Sequence, residues 1–116
     1  MQQLRTLLNN EVSPYITKMS QHKIHKIIQG FGEAAVLAVK ADFDMVQVHG
    51  DRMCGSFSSV IFNHRTDEYG GNARNRARFA TEAVQAIRKR ICRHLPIDYK
   101  TGCPSGKSAL WKCRCA

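Results

Sequence analysis

The side chains best suited to chemistry in this sequence are histidines and cysteines, and His49 stands apart from the rest by its position. It ends a short apolar run, Met45, Val46 and Val48 with Gln47 between them, and Gly50 follows at once. Apolar and β-branched residues with a polar-to-glycine break describe a buried strand whose last residue is a histidine. A neutral imidazole at the C-terminal end of a buried strand can donate a hydrogen bond into the pocket formed by the following loops. The other candidates are weaker. His22 and His25 lie one turn apart on a predicted helix, but no carboxylate or cysteine is patterned with them, so they read as polar residues on an exposed face rather than a metal pair. Residues 102–108, GCPSGKS, look like a phosphate loop but place three residues between the glycines where the motif needs four. Cys113 and Cys115 lack the further ligands a metal site requires. No metal site is expected.

The elements that must position His49 follow from periodicity. Ser20 is a plausible N-cap for a helix whose apolar stripe is Ile24, Ile27, Ile28, Phe31, Ala34, Ala35 and Ala38, ending near Ala41. Gly30 and Gly32 inside it cost about 1 kcal/mol each relative to alanine, which implies close packing against a neighbour. After the strand, Gly50 to Gly71 reads as one long loop, and such a loop in a compact domain is usually functional. Gly71 or Asn72 then caps a second helix with the stripe Ala80, Ala83, Val84, Ile87 and Ile91, and Leu95 to Lys100 forms a second strand. Upstream, Met1 to Ser13 reads as an irregular lead-in or a fraying helix turn, and Ser13-Pro14 as a chain reversal. Helix, strand, helix, strand is the αβαβ alternation of a parallel sheet.

Composition narrows the class. The 116 residues are 43% hydrophobic, enough for one small core, and no apolar run approaches the roughly 20 residues of a membrane span. The N-terminus lacks the features of a secretory signal, so a cytoplasmic location is the expectation. The five cysteines form no repeated CxxC pairs, and an odd count without an export signal favours free thiols. A net charge of +9 raises the alternative of a small basic nucleic-acid-binding module. However, Arg74, Arg76, Arg78, Arg88, Lys89 and Arg90 share one helix with acidic neighbours, as on an ordinary solvated face, and no nucleic-acid partner is expected.

Five pieces in order carry a more specific signal: Phe31-Gly32-Glu33-Ala34-Ala35, Asp42-Phe43-Asp44, Val48-His49-Gly50, Arg65-Thr66-Asp67-Glu68-Tyr69-Gly70-Gly71, and Asn75-Arg76-Ala77-Arg78-Phe79. Together they resemble the Old Yellow Enzyme family, FMN-dependent NAD(P)H oxidoreductases built on a (β/α)8 barrel. The resemblance runs from about Val12 to Lys100. A whole barrel takes roughly 250 residues, so it implies an α/β fold that is a partial TIM barrel, an αβαβ segment from about the third helix to the fifth strand.

What the resemblance implies for individual residues follows the same alignment. The histidine matching His49 binds the substrate carbonyl oxygen. Where the family has a second His or Asn, this sequence has Arg52, whose charge could stabilise an enolate. Where the family has a proton-donating tyrosine, it has Cys54. Lys100 takes the place of an arginine beside flavin N1 and O2, keeping the charge and losing the planar fork. Arg65, Asp67, Tyr69, Asn75 and Arg78 match a loop and helix signature expected to hold the loop rather than touch substrate. The implied parent activity is hydride transfer from reduced FMN, with NAD(P)H as reductant, to an activated alkene or related small molecule. The segment alone, lacking the family's phosphate-binding segment, is expected to be inactive and not to hold FMN tightly. The resemblance stops near Thr101: residues 1–101 read as the partial barrel and 102–116 as a divergent tail, with a frameshift as the favoured cause. A non-functional fragment is the remaining alternative.

Overall fold

Ser20 and Asn72 begin the two helices on which the core is built. The structure, a computed structural model, describes residues 2–101. Helix α1 spans Gln2–Lys18, α2 Gln21–Lys40, α3 Met53–Ser58 and α4 Ala73–Arg90, with strands β1 at Val46–His49 and β2 at Ile97–Lys100. The Ser20 hydroxyl accepts from the Lys23 N–H at 3.2 Å, and the Asn72 side-chain carbonyl from the Asn75 N–H at 2.9 Å. Each cap satisfies an N–H that a helix start leaves without an intrahelical partner. The stripes expected from periodicity are the faces that meet: Ile24, Ile28 and Ala35 of α2 and Phe79, Ala83 and Ile87 of α4 are buried. The helices come closest at Gly32, where a Cβ would stand 2.9 Å from the Ala86 carbonyl oxygen. Gly30, expected to share that role, has open space around it.

β1 and β2 pair in parallel, Val46 opposite Ile97 and His49 opposite Lys100. Val48 is buried in the core, and Val46, Ile97 and Tyr99 pack against it. Because strand side chains alternate, Gln47, His49, Asp98 and Lys100 share the opposite face. Met45, expected in the buried strand, is 51% exposed: helices cover one face of this sheet, and only side chains directed at them are removed from water.

Two other expectations are corrected. From Gln2 the lead-in is a long helix rather than irregular chain or a single fraying turn, and Ser13-Pro14 is not a reversal, because α1 runs through Pro14. A proline removes one intrahelical donor, and burial of Ser13, Ile16 and the adjoining Met19 outweighs that loss. The stretch from Gly50 to Gly71 is likewise not all loop, since it contains α3. This helix has no side-chain N-cap and carries Gly55 in its middle, so its local signal is weak. It is held by burial of Cys54 and Phe57, whose ring stacks on Phe79 with centroids 4.3 Å apart.

The stretch from Asn63 to Gly71 is organised by a buried guanidinium. Arg65 Nη1 donates to the carbonyls of Ile16 at 2.6 Å and Met19 at 2.7 Å, while Nε and Nη2 donate to Asp67 at 2.9 and 2.5 Å. The first two acceptors lie around the C-terminal end of α1, where the helix dipole favours a cation. The buried Asn63 amide donates to the carbonyls of Phe57 at 2.5 Å and Tyr69 at 2.8 Å, and its oxygen accepts from the Arg65 N–H at 3.0 Å. Arg78 Nε donates to the Glu68 carbonyl at 2.8 Å. Arg65, Asp67, Tyr69 and Arg78 therefore do hold this loop, and Asn75 contributes its backbone N–H to the Asn72 cap.

The Arg65 guanidinium beside Asp67 holds that carboxyl below the ordinary aspartate range. A depressed folded-state value stabilises the fold above the unfolded value near ~4, and that contribution is lost as pH falls through the folded value. Stability is therefore expected to decline below about pH 4 in wild type, and Asp67→Asn to remove part of that decline. Arg65→Ala should cost about 3 kcal/mol, since it leaves the Ile16 and Met19 carbonyls and the Asp67 carboxylate without their donor. Urea unfolding at a series of pH values measures both effects; an unchanged acid slope in Asp67→Asn would refute the first.

Candidate active site

The two residues that the sequence places at strand ends come together. His49 and Lys100 are register partners at the C-terminal ends of β1 and β2, on the sheet face away from the helices. One rung earlier on that face, Gln47 Nε2 donates to Asp98 Oδ2 at 2.6 Å. The strand ends are tied by the Gly50 N–H, which donates to the Lys100 carbonyl at 2.7 Å. Only glycine fits there: a Cβ at position 50 would stand 2.4 Å from the Lys100 carbonyl oxygen and 2.9 Å from the Tyr99 ring.

The imidazole has a defined neighbour on each nitrogen. His49 Nδ1 accepts from the Asp51 backbone N–H at 3.4 Å, and Nε2 lies 3.9 Å from Asp51 Oδ2. An accepting Nδ1 places the proton of the neutral ring on Nε2, the nitrogen available to donate outward. Arg52, exposed at the N-cap of α3, makes no side-chain hydrogen bond among the described residues, and its backbone carbonyl accepts from both the Ser56 N–H and the Ser56 hydroxyl. A cavity of about 600 Å³ opens beside the strand ends, with Gly50, Asp51, Gly55, Ser56, Tyr99 and Thr101 in its wall.

Cys54 is placed differently from the other candidates. It is 1% exposed, and burial pushes its thiol up from the ordinary range. Tyr99 lies beside it, its phenol also pushed up by burial. A thiol enclosed in the core is not presented to a ligand at the strand ends as His49 and Lys100 are.

Gln47, Asp51 and Asp98 were not among the candidates. The signal for the first and third was present: Val-Gln-Val-His and Ile-Asp-Tyr-Lys alternate with period two, which puts the polar members of both strands on one face. Asp51 had only its nearness to His49 in the chain, and the turn that folds it back is a tertiary feature.

Other candidates resolve simply. His25 Nε2 lies 3.1 Å from the Tyr69 hydroxyl, which also donates to Glu82 at 2.8 Å. Among the described residues no group of three metal-ligating side chains comes together, and no helix is long and apolar enough to cross a membrane. The glycine-rich stretch at 102–108 and Cys113 and Cys115 lie outside the described residues.

Residues 2–106 match the family described as NADH:flavin oxidoreductase / NADH oxidase. The chain belongs to that family. It is 59% identical over 97 residues to a bilirubin reductase of Clostridium symbiosum (strain WAL-14163), covering 84% of this chain and 26% of that protein. It is 40% identical over 86 residues to a cinnamate reductase of Clostridium sporogenes, covering 72% of this chain and 13% of that protein. Among solved structures, morphinone reductase in complex with tetrahydroNAD superposes with a TM-score of 0.65 at 34% identity, over 70% of this chain and 23% of that one. An Old Yellow Enzyme from Pichia sp. AKU4542 superposes with a TM-score of 0.65 at 29% identity, over 70% of this chain and 22% of that one. The chain thus spans about a quarter or less of the length of these relatives, and its elements, in which α2, β1, α4 and β2 alternate with α1 added before α2 and α3 before α4, form a segment of a (β/α)8 barrel.

The polar face carries a cation and an imidazole on one rung, at the strand ends where barrels place their ligands.

Two outcomes are expected here. Gly50→Ala should lower stability by about 1 to 3 kcal/mol through the forced clash, read as a shifted denaturant midpoint with an unchanged slope. Long-range proton–nitrogen correlation spectra of the neutral His49 ring should show its proton on Nε2; a ring protonated mainly on Nδ1 would contradict the Asp51 contact.

Proposed function

We propose that this chain supplies the substrate-anchoring quarter of an FMN-dependent, NAD(P)H-using ene-reductase that reduces an alkene conjugated to a carbonyl. The observation that carries the reading is the in-register His49–Lys100 pair on the polar face at the C-terminal ends of two parallel strands. Bound flavin supplies the hydride in such a reaction. This chain's residues hold and polarise the acceptor. His49 donates from Nε2 to the carbonyl oxygen, with Asp51 fixing the ring through its backbone N–H and standing 3.9 Å from Nε2. Arg52, at the entry to α3, offsets the negative charge that grows on that oxygen. Lys100 would meet the flavin edge as a point charge when flavin is bound. Cys54 we assign to packing, because its buried thiol is not presented to the substrate. The 59% identity to a bilirubin reductase makes bilirubin the first acceptor to test, and cinnamate the second.

The test has two parts. The 116-residue chain alone should be colourless and leave the fluorescence of added FMN unchanged, because one sheet edge cannot replace a phosphate anchor. When its residues replace the matching segment of the C. symbiosum protein, the chimera should bind FMN and reduce bilirubin with NAD(P)H. His49→Ala in that chimera should lower kcat/KM roughly a hundredfold, as for loss of an oxyanion donor. A yellow isolated chain whose melting temperature rises with FMN, or a flavin-loaded chimera indifferent to His49→Ala, would sink the proposal.

A further inference from the structure

Between α4 and β2 the chain reverses over residues 91–96, and the reversal turns several backbone carbonyls toward one side chain. Arg88 Nη1 donates to the carbonyls of Leu95 at 2.9 Å, Cys92 at 3.1 Å and Arg93 at 3.3 Å. The Leu95 N–H closes the turn on the Cys92 carbonyl at 3.2 Å. The next carbonyl, that of Pro96, accepts from the Val46 N–H at 3.2 Å and opens the β1–β2 ladder, which ends at the Gly50 N–H on the Lys100 carbonyl. The guanidinium therefore grips the chain one residue before the first rung of the sheet.

Four-residue strands pair through few bonds, and a slip of one residue would turn Asp98 and Lys100 toward the helices and Ile97 and Tyr99 away from them. The hydrophobic pattern opposes that slip, but β2 is only partly buried along its length, so the pattern alone holds it weakly. We propose that Arg88 is a positioning residue that sets the register of β2, and through it brings Lys100 opposite His49. The importance of that placement for chemistry rests on the function proposed above; the register claim does not. Arg88 belongs to the basic cluster of α4, and its charge has this local use at the helix C-terminus, where the dipole favours a cation.

Amide hydrogen exchange on the 116-residue chain, with no flavin present, tests the register claim separately from the functional one. Arg88→Met keeps the aliphatic stem and removes the donors. It should speed exchange at Val46 and Gly50 about tenfold or more, as the turn loses its guanidinium donor and the ladder opens, while Ile28 of α2 and Ala83 of α4 keep wild-type rates. Cross-strand nuclear Overhauser contacts between Val48 and Tyr99 should weaken in parallel. Arg88→Lys, which retains one cationic donor, should show the same pattern in smaller measure, and carries the comparison if Arg88→Met does not fold. Unchanged exchange at Val46 and Gly50, or equal acceleration at Ile28 and Ala83, would overturn the proposal, since Arg88 would then be either idle or a general support of the fold.

Discussion

The fold turns on one buried guanidinium. Arg65 joins the C-terminal carbonyls of α1, the entry to α2 and the loop before α4, segments more than forty residues apart in the chain. Its position is over-determined: Asp67 takes two of its nitrogens, Asn63 accepts its backbone N–H, and Gly70 leaves no room for a Cβ against its carbonyl. A buried charge is costly unless it is paired and hydrogen-bonded, and here carbonyls and a carboxylate accept from each of the three guanidinium nitrogens. With Arg65 fixed, Tyr69 enters the core beside Phe57, and α4 is delivered at the angle that lets Phe79 stack on Phe57. The helical layer then presents a single apolar surface to the sheet.

That surface explains the distribution of chemistry. Strand side chains alternate, and helices cover one face, so Val46, Val48, Ile97 and Tyr99 are drawn inward while Gln47, His49, Asp98 and Lys100 are left together. The hydrophobic effect thus does the sorting, and the polar grid is what it leaves exposed. The Gly50 contact with Lys100 and the Arg88 contacts with the preceding turn then fix where along the strands the grid ends.

How far this was legible from sequence depends on the range of the forces involved. Capped amphipathic helices were, because Ser20 and Asn72 act within three residues of themselves and the α2 and α4 stripes repeat at helical spacing. His49 and Lys100 were, because both end alternating strands. The passage of α1 through Pro14 was not, since the local cost of proline is overruled by the burial of Ile16 and Met19. Nor was α3, whose six residues have weak helical preference and are held by Phe57 against α4. The spacing of Cys54 from His49 matched a catalytic position, yet its environment is set by packing against β2, which no spacing reveals.

The basic composition also has an explanation inside the fold. Segments that turn between short helices and strands leave carbonyls without ladder partners, and these must find donors or water. A guanidinium, with five donors on a long stem, can serve several at once. Arg65, Arg76, Arg78, Arg88 and Arg90 each donate to carbonyls of this chain: those of Ile16 and Met19, of Ser58 and Gly71, of Glu68, of the turn before β2, and of Gln29. Four of these arginines thus close helix ends and turns, and Arg90 meets a carbonyl within α2. Lys100 and Arg52, by contrast, are exposed, at the end of β2 and at the N-cap of α3. The basic composition is thus in part a record of how the turns of this chain are held.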